Sequence, residues 1–178
     1  MRLLLREKRP AILPIASGDT SMAPLLRGGD AVLAAPWSGR ARAGELLVFR
    51  QQDYLVVHRC LGRARTRDGA RCLRTRGDAR PDLDPPVLDD RVVARVAAIR
   101  RDGVWRSLDG AGARAHGRLV AAHALFWSAV GVALSGAGLR PAVAAVDRGL
   151  LAVAAPWTFD LLHRRVAPGP DDGSAKTP

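Results

Sequence analysis

The 178-residue chain predicts a mainly β domain followed by an apolar helical region. Short runs of β-forming residues recur between residues 30 and 108, with turn residues between them. Apolar residues make up 48% of the chain and aromatics only 4%, so valine, leucine and alanine must fill the core. Beyond residue 114 the composition shifts to long stretches of Ala, Gly, Leu and Val.

Residues 1–16 read as a lead-in. The apolar run Leu3-Leu4-Leu5 is stopped by Arg6, Glu7, Lys8 and Arg9, well short of the roughly 20 apolar residues of a spanning helix. Pro14 confines Ala11-Ile12-Leu13-Pro14-Ile15 to a short extended segment. Residues 17–110 form the β-rich domain. Its strand candidates are Ala31–Ala35, Leu46–Phe49, Tyr54–His58, Arg71–Arg76, Val92–Ile99 and Val104–Leu108. Asp68-Gly69 and Asp102-Gly103 lie between such runs and read as hairpin turns. Several short strands at close spacing indicate a sandwich or a coiled barrel. Residues 114–165 hold two apolar segments, Leu119–Leu139 and Ala142–Trp157, separated by Pro141. Two arrangements fit them: a helical hairpin packed on the domain or lying at a membrane surface, and a span through the bilayer by the first segment. Residues 167–178 are rich in Pro, Gly, Asp and Ser and read as a disordered tail.

The formal charge of +11 comes almost wholly from arginine. The arginines are scattered rather than clustered, so a dedicated nucleic-acid surface is not expected, whereas anionic lipid remains a partner class. Cys60 and Cys72 are the only cysteines and lack the spacing of a metal or redox motif. They read as buried or half-buried thiols, with a disulfide left open.

The chemistry centres on Gly18-Asp19-Thr20-Ser21-Met22-Ala23-Pro24. A serine hydroxyl attacks a carbonyl only when a base takes its proton. Lys8 and Lys176 are the only lysines, each near a terminus, which disfavours a lysine base. Of the four histidines, His116 and His163 sit among arginines and His123 lies in the apolar segment. His58 ends the strongest β run and precedes Arg59, so a rigid element would hold it. If Asp68-Gly69 are the central residues of a two-residue turn, His58 faces Ala79, next to Asp78. Strict pleating then puts Asp78 on the opposite face. A bulge at Gly77 would bring it round to accept the Nδ1–H of His58. Asp82 and Asp84, in a Pro-bounded loop, read first as solvated.

Taken in order, five stretches resemble the signal peptidase I family of serine proteases and its broader relatives. They are Ser21-Met22-Ala23-Pro24-Leu25-Leu26, Gly29-Asp30-Ala31-Val32-Leu33, Ala43-Gly44-Glu45-Leu46-Leu47-Val48-Phe49, Val56-Val57-His58-Arg59 and Thr75-Arg76-Gly77-Asp78-Ala79. The histidine after the valine pair is similar to the branch that uses serine and histidine, as in the archaeal and endoplasmic-reticulum enzymes. The resemblance implies Ser21 as nucleophile and His58 as general base, with Asp78 and Asp84 matching the two acidic residues of that branch. It implies a coiled β barrel like that of the signal peptidases and repressor proteases, carrying here a C-terminal helical appendage. No metal or organic cofactor is implied. The implied substrate is a peptide or precursor protein with small residues before the scissile bond, bound as an added strand.

Three departures from the family pattern stand out. Asp19 occupies the place two before the nucleophile where the family has a small residue, and a carboxylate there would oppose a developing oxyanion. Arg80 replaces an asparagine. The membrane helix that precedes the serine in the family is not expected here, which favours a specialised maturation protease over housekeeping signal-peptide removal. Membrane association through residues 119–157 is an expectation of its own. Two readings compete with the protease: a peptidase-like fold that binds without cutting, and a basic adaptor for membrane or nucleic acid.

Overall fold

The structure is a computed structural model that describes residues 9–133, Val146 and the pair Arg165–Val166. The described chain is mainly β. In order it runs through β1 (Ala11–Pro14), β2 (Ala31–Pro36), β3 (Leu46–Gln51), β4 (Tyr54–Arg65), β5 (Arg71–Arg76), β6 (Val87–Leu88), β7 (Val92–Arg101) and β8 (Val104–Ser107). A long helix, α1 (Ala111–Ala133), follows, and the two-residue β9 (Arg165–Val166) pairs with β8.

The sheet is antiparallel with the order β1-β2-β7-β3-β4-β5-β6. The outer strands β1 and β6 do not pair with each other among the described residues. The expected barrel is therefore replaced by an open sheet. β7 is central because it is long. One of its edges pairs with β2, while β3 and β8 share the other, β3 from Val92 to Arg95 and β8 from Ala98 to Arg101. β1 belongs to the sheet and places Ala11 and Leu13 in the core, so the domain begins within what reads from sequence as a lead-in.

β3 explains how so aromatic-poor a chain builds a core. Leu46, Leu47, Val48 and Phe49 are all buried, because both faces of the sheet are covered. Leu46 and Val48 join Val32, Ala34, Val96, Ile99 and the Met22–Leu26 corner on one face. Leu47 and Phe49 join Cys60, Leu73, Val87 and Val92 on the other. Asp102-Gly103 closes the β7–β8 hairpin as expected, with positive φ at both residues (52° and 75°).

The β4–β5 hairpin differs from the expected two-residue turn. The Thr66 carbonyl accepts the Gly69 N–H, and the Thr66 N–H donates to the Ala70 carbonyl, so the loop is longer and Gly69 alone takes a positive φ of 86°. A register shift also lies in β4 between Cys60 and Gly62, and Arg59 comes to face Arg76. Continuing that register sets His58 beside Gly77 rather than Ala79.

The helix begins at Ala111, three residues before the expected boundary. Ala121 and Ala124 pack on Leu61 of β4. Closer to its start, α1 meets the β2–β3 connection backbone to backbone. A Cβ on Gly44 would stand 2.4 Å from the Gly117 carbonyl carbon, and one on Gly117 would stand 2.6 Å from the Gly44 oxygen. No helix among the described residues is long and apolar enough to cross a membrane. The second apolar segment and the expected disordered tail lie outside the described residues.

Candidate active site

Ser21 sits in a turn between β1 and β2. The corner that carries it is anchored by Met22, Leu25 and Leu26, all buried in the core. Asp30 secures its far end: its carboxylate takes a two-pronged contact from Arg101 of β7 (3.0 and 2.7 Å) and accepts the Arg27 N–H at 2.8 Å. The same guanidinium reaches the Leu25 carbonyl at 2.8 Å. Gly29-Asp30 thus holds the serine loop against the sheet.

The connection after β5 clasps Ser21 from the other side. The Ala79 N–H donates to the Ser21 carbonyl at 2.9 Å, and the Asp78 N–H lies 3.4 Å from the Met22 sulfur. Gly77 is packed between the expected nucleophile and the expected base. A Cβ there would lie 2.6 Å from the Ser21 carbonyl oxygen and 3.0 Å from His58 Nε2. Glycine is required at this position by close approach; the register shift that the sequence placed at Gly77 lies in β4 instead. Ser21 Oγ and the His58 ring form no direct hydrogen bond among the described residues; Gly77 packs on the Ser21 carbonyl and on the Nε2 edge of the ring.

His58 is buried on the Phe49 face of the sheet, its ring edge-on to Phe49 with centroids 6.1 Å apart. Its Nδ1 lies 2.7 Å from Asp84 Oδ2. The expected contact with Asp78 is not made. Asp78 instead binds Arg59 in a buried two-pronged pair, Nε to Oδ1 at 2.7 Å and Nη2 to Oδ2 at 2.6 Å. The pleat decides this outcome. With His58 beside Gly77, Asp78 falls in the register of Val57 and so on the Arg59 face. No bulge at Gly77 turns it round.

Asp84 reaches His58 through β5. Its N–H donates to the Thr75 carbonyl at 2.9 Å, and the Thr75 hydroxyl donates to its Oδ2 at 2.7 Å. Residues 84–88 run back along β5, ending in the β5–β6 pairing at Val87 and Leu88. Pro85 and Pro86 lack the N–H a ladder needs, which keeps β6 to two residues. The Asp84 side chain is only 13% exposed, against the solvated loop first read for it. Asp82 is exposed.

The tautomer of His58 follows from its partner. An ionised carboxylate only accepts, so the neutral tautomer it favours carries the proton on Nδ1 and leaves the lone pair on Nε2. Nε2 lies on the Gly77 side of the ring, and Gly77 also packs on the Ser21 backbone carbonyl. Asp19 stands on the other flank of the serine, its Oδ1 accepting the Ser21 N–H at 2.8 Å.

Thr75, which donates to Asp84, and Arg59, which holds Asp78, were given no role from sequence. The signal for Thr75 is parity: it shares the His58 face because Cys60, which it faces, does. Cys60 itself is no rival nucleophile. Burial raises its thiol pKa, which keeps it protonated. Cys60 and Cys72 are buried and unbridged. His116 is on the buried face of α1, and His123 of the same helix meets Trp127 edge-on at 6.2 Å. Lys8, Lys176 and His163 lie outside the described residues. Among the described residues no group of three His, Cys, Asp or Glu side chains is placed to hold a metal ion.

In comparisons with known proteins, no family profile matches the chain and no curated protein matches it.

Proposed function

We propose that the chain is a serine endopeptidase resembling signal peptidase I, cutting a peptide or precursor protein after small residues. The observation that carries this reading is the Asp84 carboxylate on His58 Nδ1, with the opposite nitrogen beside Gly77, which packs on the Ser21 backbone carbonyl. In this reading Ser21 Oγ closes to within about 3 Å of Nε2 when substrate is bound. It attacks the scissile carbonyl carbon, and its proton passes to Nε2. Asp84 stabilises the imidazolium and keeps the ring oriented. The tetrahedral intermediate collapses as His58 gives that proton to the leaving amine, leaving an acyl ester on Ser21. A water molecule then attacks the ester with His58 again as base. The carboxylic acid product departs and the serine regains its proton. Asp78 has no part in these steps; its role is to hold Arg59 and the loop that carries Gly77. The closed coiled barrel of the resembled family is not required, because the serine corner, β4 and the segment after β5 already carry every group named.

The Ser21→Ala variant is expected to lose cleavage of a cognate peptide by at least about 10³-fold while its melting temperature stays within a few degrees of the parent. Undiminished cleavage would falsify the proposal. The second reading, a peptidase-like fold that binds without cutting, is favoured by one contact, the Asp19 carboxylate on the Ser21 N–H. A serine-reactive phosphonate probe separates the two, since His58-dependent labelling of Ser21 is expected only of the enzyme.

A further inference from the structure

We propose that Asp19 regulates the Ser21 site by closing its oxyanion donor in the free protein. The inference rests on the peptidase reading above. Attack by Ser21 turns the substrate carbonyl oxygen into an oxyanion beside the nucleophile's own backbone N–H, a donor serine hydrolases use for this charge. In this chain that N–H donates to Asp19 Oδ1 at 2.8 Å. One N–H carries one hydrogen, so the carboxylate and the oxyanion compete for it. The carboxylate also places negative charge where negative charge must develop, so it opposes the reaction twice over.

The latch is built to open. Ser21 is buried, but Asp19 is exposed. Asp19 contributes one side-chain hydrogen bond among the described residues, and water can replace that bond at the carboxylate. The Ser21 backbone would remain in place once the carboxylate left, because the Ala79 N–H holds its carbonyl at 2.9 Å. A bound substrate that draws Asp19 aside therefore frees a donor that is already positioned. The free enzyme is kept slow.

The test compares full-length wild type, Asp19→Ser, Asp19→Asn and Ser21→Ala. Each is treated with a fluorophosphonate probe, and the second-order rate of modification is followed by intact mass, with the site mapped by peptide mass. Removing one oxyanion donor costs serine hydrolases about 10²- to 10³-fold, so releasing a blocked one should give Asp19→Ser a gain of roughly tenfold or more. Asp19→Asn, which can keep the hydrogen bond without the charge, should fall between. Melting temperatures are recorded alongside, because a purely structural Asp19 predicts lower stability together with equal or slower labelling. Labelling of Ser21 in wild type with no gain in Asp19→Ser overturns the latch and leaves the peptidase reading standing. Absence of Ser21 labelling in every variant overturns the peptidase reading and the latch together.

Discussion

His58 and Arg59 are neighbours on β4, and each is paired with an aspartate from the same connection six residues apart. The two pairs are on opposite faces of the sheet and have different chemical character. Arg59–Asp78 is sealed, with side-chain exposures of 3% and 6% and both carboxylate oxygens engaged. Nη1 of the same guanidinium reaches the Gly44 carbonyl at 2.8 Å, where the helix meets the domain. Every group in this pair is committed to holding structure. His58–Asp84 is tied down on one side only. Asp84 is held by Thr75, but the Nε2 edge of the ring meets the Gly77 backbone that also packs on the Ser21 carbonyl. A buried ion pair with all its hydrogen bonds made can do little but position its surroundings. In the proposed enzyme the oriented imidazole of the second pair is the group that moves a proton.

Neutralising each aspartate in turn separates the two pairs. Asp84→Asn should lower the acylation rate by on the order of 10⁴-fold, because the amide no longer favours the Nδ1–H tautomer or the imidazolium. Its unfolding midpoint should change little. A rate close to wild type would remove Asp84 from the mechanism. Asp78→Asn should do the converse. It leaves a buried guanidinium without its counter-charge, a loss of about 3–5 kcal/mol in denaturant unfolding. Replacing the whole pair, as in Arg59→Met with Asp78→Leu, should recover most of that loss, since the desolvation cost of both charges disappears. Failure of the double variant to recover would mean that the bond to the Gly44 carbonyl matters more than the ion pair. Thr75→Val is the mildest probe. It deletes one hydroxyl donor to Asp84 at constant volume and should cost about 1 kcal/mol, a several-fold fall in rate. An effect as large as that of Asp84→Asn would make Thr75 an equal partner in orienting His58.

Much of the fold was legible. Six of the strands follow runs of β-forming residues, and Asp102-Gly103 turns where its residue types require. The two-residue β6 escaped notice because Val87-Leu88 is too short to show a period and is flanked by prolines. Closure of the sheet could not be read from strand spacing, because it depends on which outer strands meet, a long-range pairing that no local pattern encodes. At the site, Ser21 and His58 were singled out by residue type and order, and Asp84 only by the family resemblance. The assignment of Asp78 to His58 failed on register. The β4–β5 loop is longer than the two residues assumed, and the shift at Leu61 moved the pairing again. A change of one position in a strand turns a side chain to the other face.

Residue types and their order carry the inventory: a nucleophile-type serine on a hydrophobic corner, one histidine on a strong strand, no lysine well placed to compete, and two aspartates six residues apart. The chain's apolar runs also dictated a β core of small aliphatic residues. It took the folded chain to show which aspartate meets which cation, that Gly77 must lack a side chain because Ser21 and His58 crowd it, and that Asp19 turns back onto the Ser21 N–H. The physical reason is the same in each case. These contacts depend on distances of a few ångströms between segments far apart in the chain, set by register and packing rather than by the residues taken one at a time.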